Sequence, residues 1–81
     1  MTAHVYIILK PGLLDAQGKT VHGALESLGF KGVKEVRVGK YLQIELDHGS
    51  AKAATALVER MCRKLLANPV VEAYRIEVRE S

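Results

Sequence analysis

Apolar and polar positions alternate at the start of the chain. Ala3, Val5, Ile7 and Leu9 fall on one side, and His4, Tyr6 and Lys10 on the other. This period of two predicts a strand from Ala3 to Lys10. Ile8 breaks the alternation and implies that the second face is partly covered too. Lys10-Pro11-Gly12 closes the strand, because proline donates no ladder hydrogen bond and glycine permits a sharp turn. A helix follows with Asp15 as its N-cap. Val21, Ala24, Leu25 and Leu28 then recur at i, i+3, i+4 and i+7, and Gly29 stands where a left-handed C′ residue belongs. Gly18 and Gly23 each cost that helix about 1 kcal/mol relative to alanine, which close packing or function must offset.

From Val33 to Asp47 the apolar residues Val36, Val38, Leu42, Ile44 and Leu46 all hold even positions. A two-residue turn at Gly39-Lys40 would send the last three to the opposite face from Val38. Unbroken parity predicts one long strand bent at Gly39, or a three-residue loop, Gly39-Lys40-Tyr41, with a bulge. Gly39 would supply the bend, through a positive φ if one is required. Such a strand overhangs so small a domain, and the overhang calls for a partner chain. Asp47-His48-Gly49 reads as a loop and Ser50 as the next N-cap. Ala54, Leu57, Val58, Met61, Cys62, Leu65 and Leu66 line one face of a helix from Ala51 to Ala67, which Asn68-Pro69 stops. In a last strand, Val70 to Arg79, Val70, Tyr74, Ile76 and Val78 face in. Ala73, Arg75, Glu77 and Arg79 face out. The order is β-α-β-(β)-α-β. It predicts an α+β fold, an antiparallel sheet covered by two helices, with the long bent middle strand used in oligomer formation.

Length makes this one domain, residues 1–81. A chain this short buries about 60% of its unfolded surface, so the core is thin and no deep enclosed site is expected. Apolar content of 48% with 26% charged residues excludes a disordered chain. A single cysteine rules out an internal disulfide and fits a reducing cytosol. The longest apolar run is Val5 to Leu9, and the N-terminus lacks the layout of a secretion signal. A cytoplasmic protein without a membrane span is therefore expected. The net charge is +3, but the cations are scattered, Arg60-Arg63-Lys64 being the densest group. The only aromatics are Tyr6, Phe30, Tyr41 and Tyr74. A nucleic-acid binder needs a basic stripe with stacking aromatics, so no nucleic-acid partner is expected.

Catalytic chemistry finds no foothold. His4, His22, His48 and Cys62 lie at wide, unrelated spacings, unlike the close ligand sets of structural zinc. Cys62 sits on the apolar face of its helix, where the unreactive thiol is favoured. Neither Lys10-Pro11-Gly12 nor Gly29-Phe30-Lys31-Gly32 matches a phosphate-binding loop. Glu45 and Asp47 read as solubilising charges. No catalytic, cofactor-binding or metal-binding residue is expected on this chain. The candidate interaction surface is Arg37, Lys40 and Tyr41, two cations and an aromatic beside Gly39, a combination enriched at interface hot spots. Lys10, Pro11 and Gly12 form the second candidate.

Three stretches carry a resemblance. Val5-x-Ile7-x-Leu9-Lys10-Pro11-Gly12-Leu13-Leu14-Asp15-x-Gln17-Gly18 resembles the opening of the PurS family, small subunits of phosphoribosylformylglycinamidine synthase. Leu28-Gly29-Phe30 and Val36-Arg37-Val38-Gly39-Lys40-Tyr41 resemble its middle. Met61-Cys62-x-Lys64-Leu65-Leu66-Ala67-Asn68-Pro69-Val70-Val71-Glu72-x-Tyr74 resembles its end. Ala16 stands where the family often has proline, losing a rigid first helical turn, and Ala73 where it often has aspartate. The resemblance implies a non-catalytic assembly subunit in purine biosynthesis. It would work as paired copies, a homodimer or dimer of dimers, that bridge a large synthetase subunit and a glutaminase subunit. ATP and magnesium would belong to the large subunit. A free-standing dimeric module that binds a small regulatory molecule is the alternative.

Overall fold

The computed structural model describes residues 1–47 and 49–80. His48, within the expected loop and among the weighed metal ligands, lies outside the described residues. Strand β1 (Thr2–Leu9) leads to helix α1 (Ala16–Ser27), strand β2 (Lys40–Glu45), helix α2 (Ala51–Met61), a π-helical turn (Cys62–Leu66) and strand β3 (Glu72–Arg79). The strands form an antiparallel sheet in the order β2-β1-β3. The fold is α+β, three antiparallel strands with two helices.

The period-two reading of β1 holds in three dimensions. Ala3, Val5 and Ile7 are fully buried, and their ladder partners Ile44, Leu42, Val78, Ile76 and Tyr74 lie on the same face. Val58 and Cys62 come down on that face from α2 and the π turn and complete the core. Both expected N-caps are formed. The Asp15 carboxylate accepts from Gly18 N–H, and the Ser50 hydroxyl accepts from Ala53 N–H. Gly29, at φ +93, ends α1 in a Schellman motif, its N–H bonded to Glu26 O and that of Phe30 to Leu25 O.

Five expectations are corrected. The sheet takes up only the second half of the long middle strand, Lys40–Glu45, and the stretch before Gly39 is irregular, so one middle strand forms and not two. Gly39 is needed for closeness and not for a positive φ, since a Cβ there would lie 2.4 Å from Ile7 O. The second helix does not keep its α period to Ala67. Ala67 N–H bonds back five residues to Cys62 O at 3.0 Å, and the widened turn swings Leu65 out to 82% exposure while burying Ala67. Val70 is exposed, because Asn68 gathers the next turn: its side chain accepts from Val70 N–H, and its carbonyl from Val71 and Glu72 N–H. β3 therefore starts at Glu72. Finally, of the two helices only α2 packs on the chain's own sheet. α1 stands beyond the sheet, and the molecule extends 49 × 28 × 15 Å.

Candidate functional site

The root of α1 is fastened by side chains that the sequence offered as candidates for binding. Lys10-Pro11-Gly12 forms a type II turn, with Leu13 N–H bonded to Lys10 O and Gly12 at φ +88. Lys10 Nζ donates to Pro69 O at 2.8 Å. The half-buried Arg37 guanidinium donates to Leu9 O and Lys10 O, while its Nε has no hydrogen-bond partner among the described residues. Asp15 is the hub. Its carboxylate accepts from Gly18 N–H at 2.8 Å and Val38 N–H at 2.7 Å. Those two bonds, helped by the Arg37 charge, hold its carboxyl below the ordinary carboxylate value.

Arg37, Lys40 and Tyr41 do not share one surface. Arg37 is tucked against the end of β1. Lys40 stands opposite Ile7 on the α2 side of the sheet, where its ammonium reaches Leu66 O and lies 3.8 Å from Glu72. Tyr41 points to the other side, which neither helix covers.

On that open side Tyr41 gains neighbours that only strand register supplies. Tyr6 stands directly across β1 from it, and Arg75 of β3 stands across from Tyr6. The Tyr6 and Tyr41 rings are 5.2 Å apart, and the Arg75 guanidinium lies 4.3 Å over Tyr6. His4 Nδ1 and the Tyr41 hydroxyl share a hydrogen bond of 2.5 Å, with the rings nearly parallel. Glu77 bonds to Arg75 at 2.9 Å, and Ile8 adds a half-exposed apolar edge. Each contact is weak in water, the cation–π pair contributing about 0.5–1 kcal/mol. Together they hold a patch of aromatic rings around one oriented cation. Such a patch suits a flat protein surface. The alternation of β1 and β3 marked Tyr6 and Arg75 as outward-facing; their meeting with Tyr41 depends on pairing across 35 and 69 residues of sequence.

Cys62 is fully buried, and burial pushes its thiol above the usual range, with Glu59 adding to the effect. A thiol held neutral is a poor nucleophile. Cys62→Ala is expected to cost about 1–2 kcal/mol as a small core truncation, seen as a lower urea midpoint, with no loss of turnover in any assembly containing the chain. Among the described residues no group of three or more His, Cys, Asp and Glu is placed to hold a metal ion, and no helix is long and apolar enough to cross a membrane.

Comparison with known proteins gives a consistent result. Residues 2–80 match the family model PurS, described as phosphoribosylformylglycinamidine (FGAM) synthase. The PurS subunit of that synthase from Bacillus subtilis is 46% identical over 76 residues, covering 94% of this chain and 89% of that protein. The crystal structure of Methanocaldococcus jannaschii PurS, a subunit of formylglycinamide ribonucleotide amidotransferase, superposes with a TM-score of 0.90 at 42% identity. It covers 99% of this chain and 96% of that one. A chain in the PurLQS structure from Thermotoga maritima superposes with a TM-score of 0.86 at 30% identity, covering 94% and 93%.

Proposed function

The chain belongs to the PurS family, as a subunit of phosphoribosylformylglycinamidine synthase, and from that premise we propose that it is a non-catalytic bridge between the large ATP-dependent subunit and the glutaminase subunit. The large subunit binds ATP and magnesium and carries out the C–N ligation, and the glutaminase supplies ammonia. This chain acts in the cytoplasm as a homo-oligomer and supplies surfaces instead of reacting groups. The free-standing small-molecule module is not favoured for a member of this family.

The observation that carries the reading is the open sheet face. Tyr41 is 53% exposed, flanked by Tyr6, His4 and Arg75 on a rigid sheet. Tyr and Arg on a rigid scaffold are the residue types that dominate interface energies. The buried state of Cys62 supports the non-catalytic half of the proposal. Lys40, on the α2 side of the sheet, and the exposed Pro11-Gly12 turn lie apart from this face and are lesser candidates for contact, whereas Arg37 and Lys10 act mainly within the chain.

Co-purification of the three subunits, with glutamine and nucleotide present, tests the proposal. The wild-type chain is expected in the complex. Tyr41→Ala and Arg75→Ala should keep their circular dichroism, and at least one should weaken assembly by more than about fivefold, or ~1 kcal/mol. If both assemble like the parent, this face is not the bridge. If the wild-type chain stays out of the complex, the assembly role itself is overturned.

A further inference from the structure

The chain's charge excess lies in one segment. Between Lys10 and Lys40 six cations stand against three carboxylates, and from Tyr41 to the end six stand against six. The whole excess of +3 is therefore carried by α1 and the stretches on either side of it. The fold concentrates these cations further, because the stretch after α1 runs back along the helix. Val33 O accepts from His22, Val38 N–H donates to Asp15, and Val36 O lies where a Gly18 Cβ would be.

A cavity of about 220 Å³ opens between the first turns of α1 and that stretch. Lys19 and Lys34 line it, both exposed and without a hydrogen bond or ion pair among the described residues. Arg37 lines it too. One terminal nitrogen of Arg37 donates to Leu9 O and Lys10 O, which fixes where the guanidinium sits. Its Nε is the one buried side-chain nitrogen or oxygen, among the described residues, that has no hydrogen-bond partner. A donor shielded from water favours an incoming acceptor. Two carboxylates also line the cavity. Asp15 is already engaged, one oxygen holding Gly18 N–H and the other Val38 N–H. Glu35 is exposed and unpaired among the described residues, and it opposes an anion there. Three cations thus face one unengaged carboxylate.

We propose that this cavity binds a phosphate group, either the free ion or the phosphate of a small molecule. Arg37 supplies a fixed donor, and Lys19 and Lys34 close over the group as flexible point charges. The cavity is smaller than the roughly 300 Å³ at which sites for whole drug-sized ligands begin. It therefore takes the phosphate, while any carrier lies outside, across the exposed Leu13 and Leu14 that line it. The proposal stands on the cavity and does not depend on the bridging role.

Amide NMR titration of the full chain tests it, at constant ionic strength so that general screening is fixed. Inorganic phosphate and ribose 5-phosphate are the probes, and acetate is the control. The phosphates are expected to shift the amides of residues 13–19 and 34–37 saturably at millimolar concentration, and acetate is not. Lys19→Gln and Lys34→Gln should each weaken binding about threefold or more, the scale of one exposed charge pair. Glu35→Gln should tighten it by a similar factor. Lys64→Gln, on the π-helical turn outside the cavity, should leave it unchanged. Tighter binding of ribose 5-phosphate supports a carried phosphate as the ligand, and equal binding supports the free ion. No saturable shift with either phosphate, or equal shifts with acetate, would overturn the site, and both results are read on the wild type alone. Weakening by Lys64→Gln as large as that by Lys34→Gln would also overturn it, since net charge alone would then account for the attraction.

Discussion

Ile7→Ala is expected to cost about 2–5 kcal/mol and to leave the chain close to unfolded. Ile7 is fully buried at the middle of the sheet, between Lys40 on one side and Tyr74 on the other. It belongs to the cluster that Val58 and Cys62 close from above. Truncation forfeits the transfer energy of three carbons and leaves a void that a thin core cannot collapse around. A chain of 81 residues has roughly 4–12 kcal/mol of total stability, so the loss is a large share of it. The adjacent Ile8 is 45% exposed on the open face. Ile8→Ala should cost no more than about 1 kcal/mol, because nearly half of its surface never left water. Urea unfolding of the two variants measures the difference. Equal losses would mean that β1 does not present its odd residues to α2.

Gly39→Ala should be nearly as damaging for a different reason. An added Cβ would lie 2.4 Å from Ile7 O and 2.6 Å from Ile8 Cγ2. One of these is backbone and cannot rotate away, so β2 must shift from β1 at its first rung. Overpacking of this kind costs about 1–3 kcal/mol, with the loss concentrated in β1–β2 pairing. Gly23→Ala is the matched control. Its Cβ would meet nothing within 4 Å, and alanine favours the helix by about 1 kcal/mol, so its urea midpoint should rise. If both substitutions are neutral, the close crossing of Gly39 over β1 is wrong.

What could be read from the sequence was what depends on neighbours in sequence. Asp15 and Ser50 cap their helices, Gly29 ends α1, and Ala3, Val5 and Ile7 face inward, because each follows from residues within one or two turns. The PurS resemblance was legible through ordered motifs along nearly the whole chain. What escaped depends on contacts between distant segments. The even parity of Val36 and Val38 with Leu42 and Ile44 looked like one strand. However, Asp15 takes the Val38 N–H that a ladder would use, which pulls the first half onto α1. Leu65 kept the α period on paper and lost it to a π turn. Arg37, Lys40 and Tyr41 looked like one cluster because they are close in sequence, yet successive strand residues point to opposite faces. The same rule assembled the His4-Tyr6-Tyr41-Arg75 patch, which needed the register to be seen.

The central claim is that this chain joins a synthase without contributing reacting groups. The direct measurement is formation of the amidine product from glutamine and ATP by purified large and glutaminase subunits, with the chain present, absent or supplied as Cys62→Ala. The expected result is a glutamine-dependent rate that needs the chain, is met equally by Cys62→Ala at saturating concentration, and is accompanied by no glutamine or ATP turnover when the chain is alone. Turnover by the isolated chain that Cys62→Ala removes, or a full glutamine-dependent rate without the chain, would contradict the account.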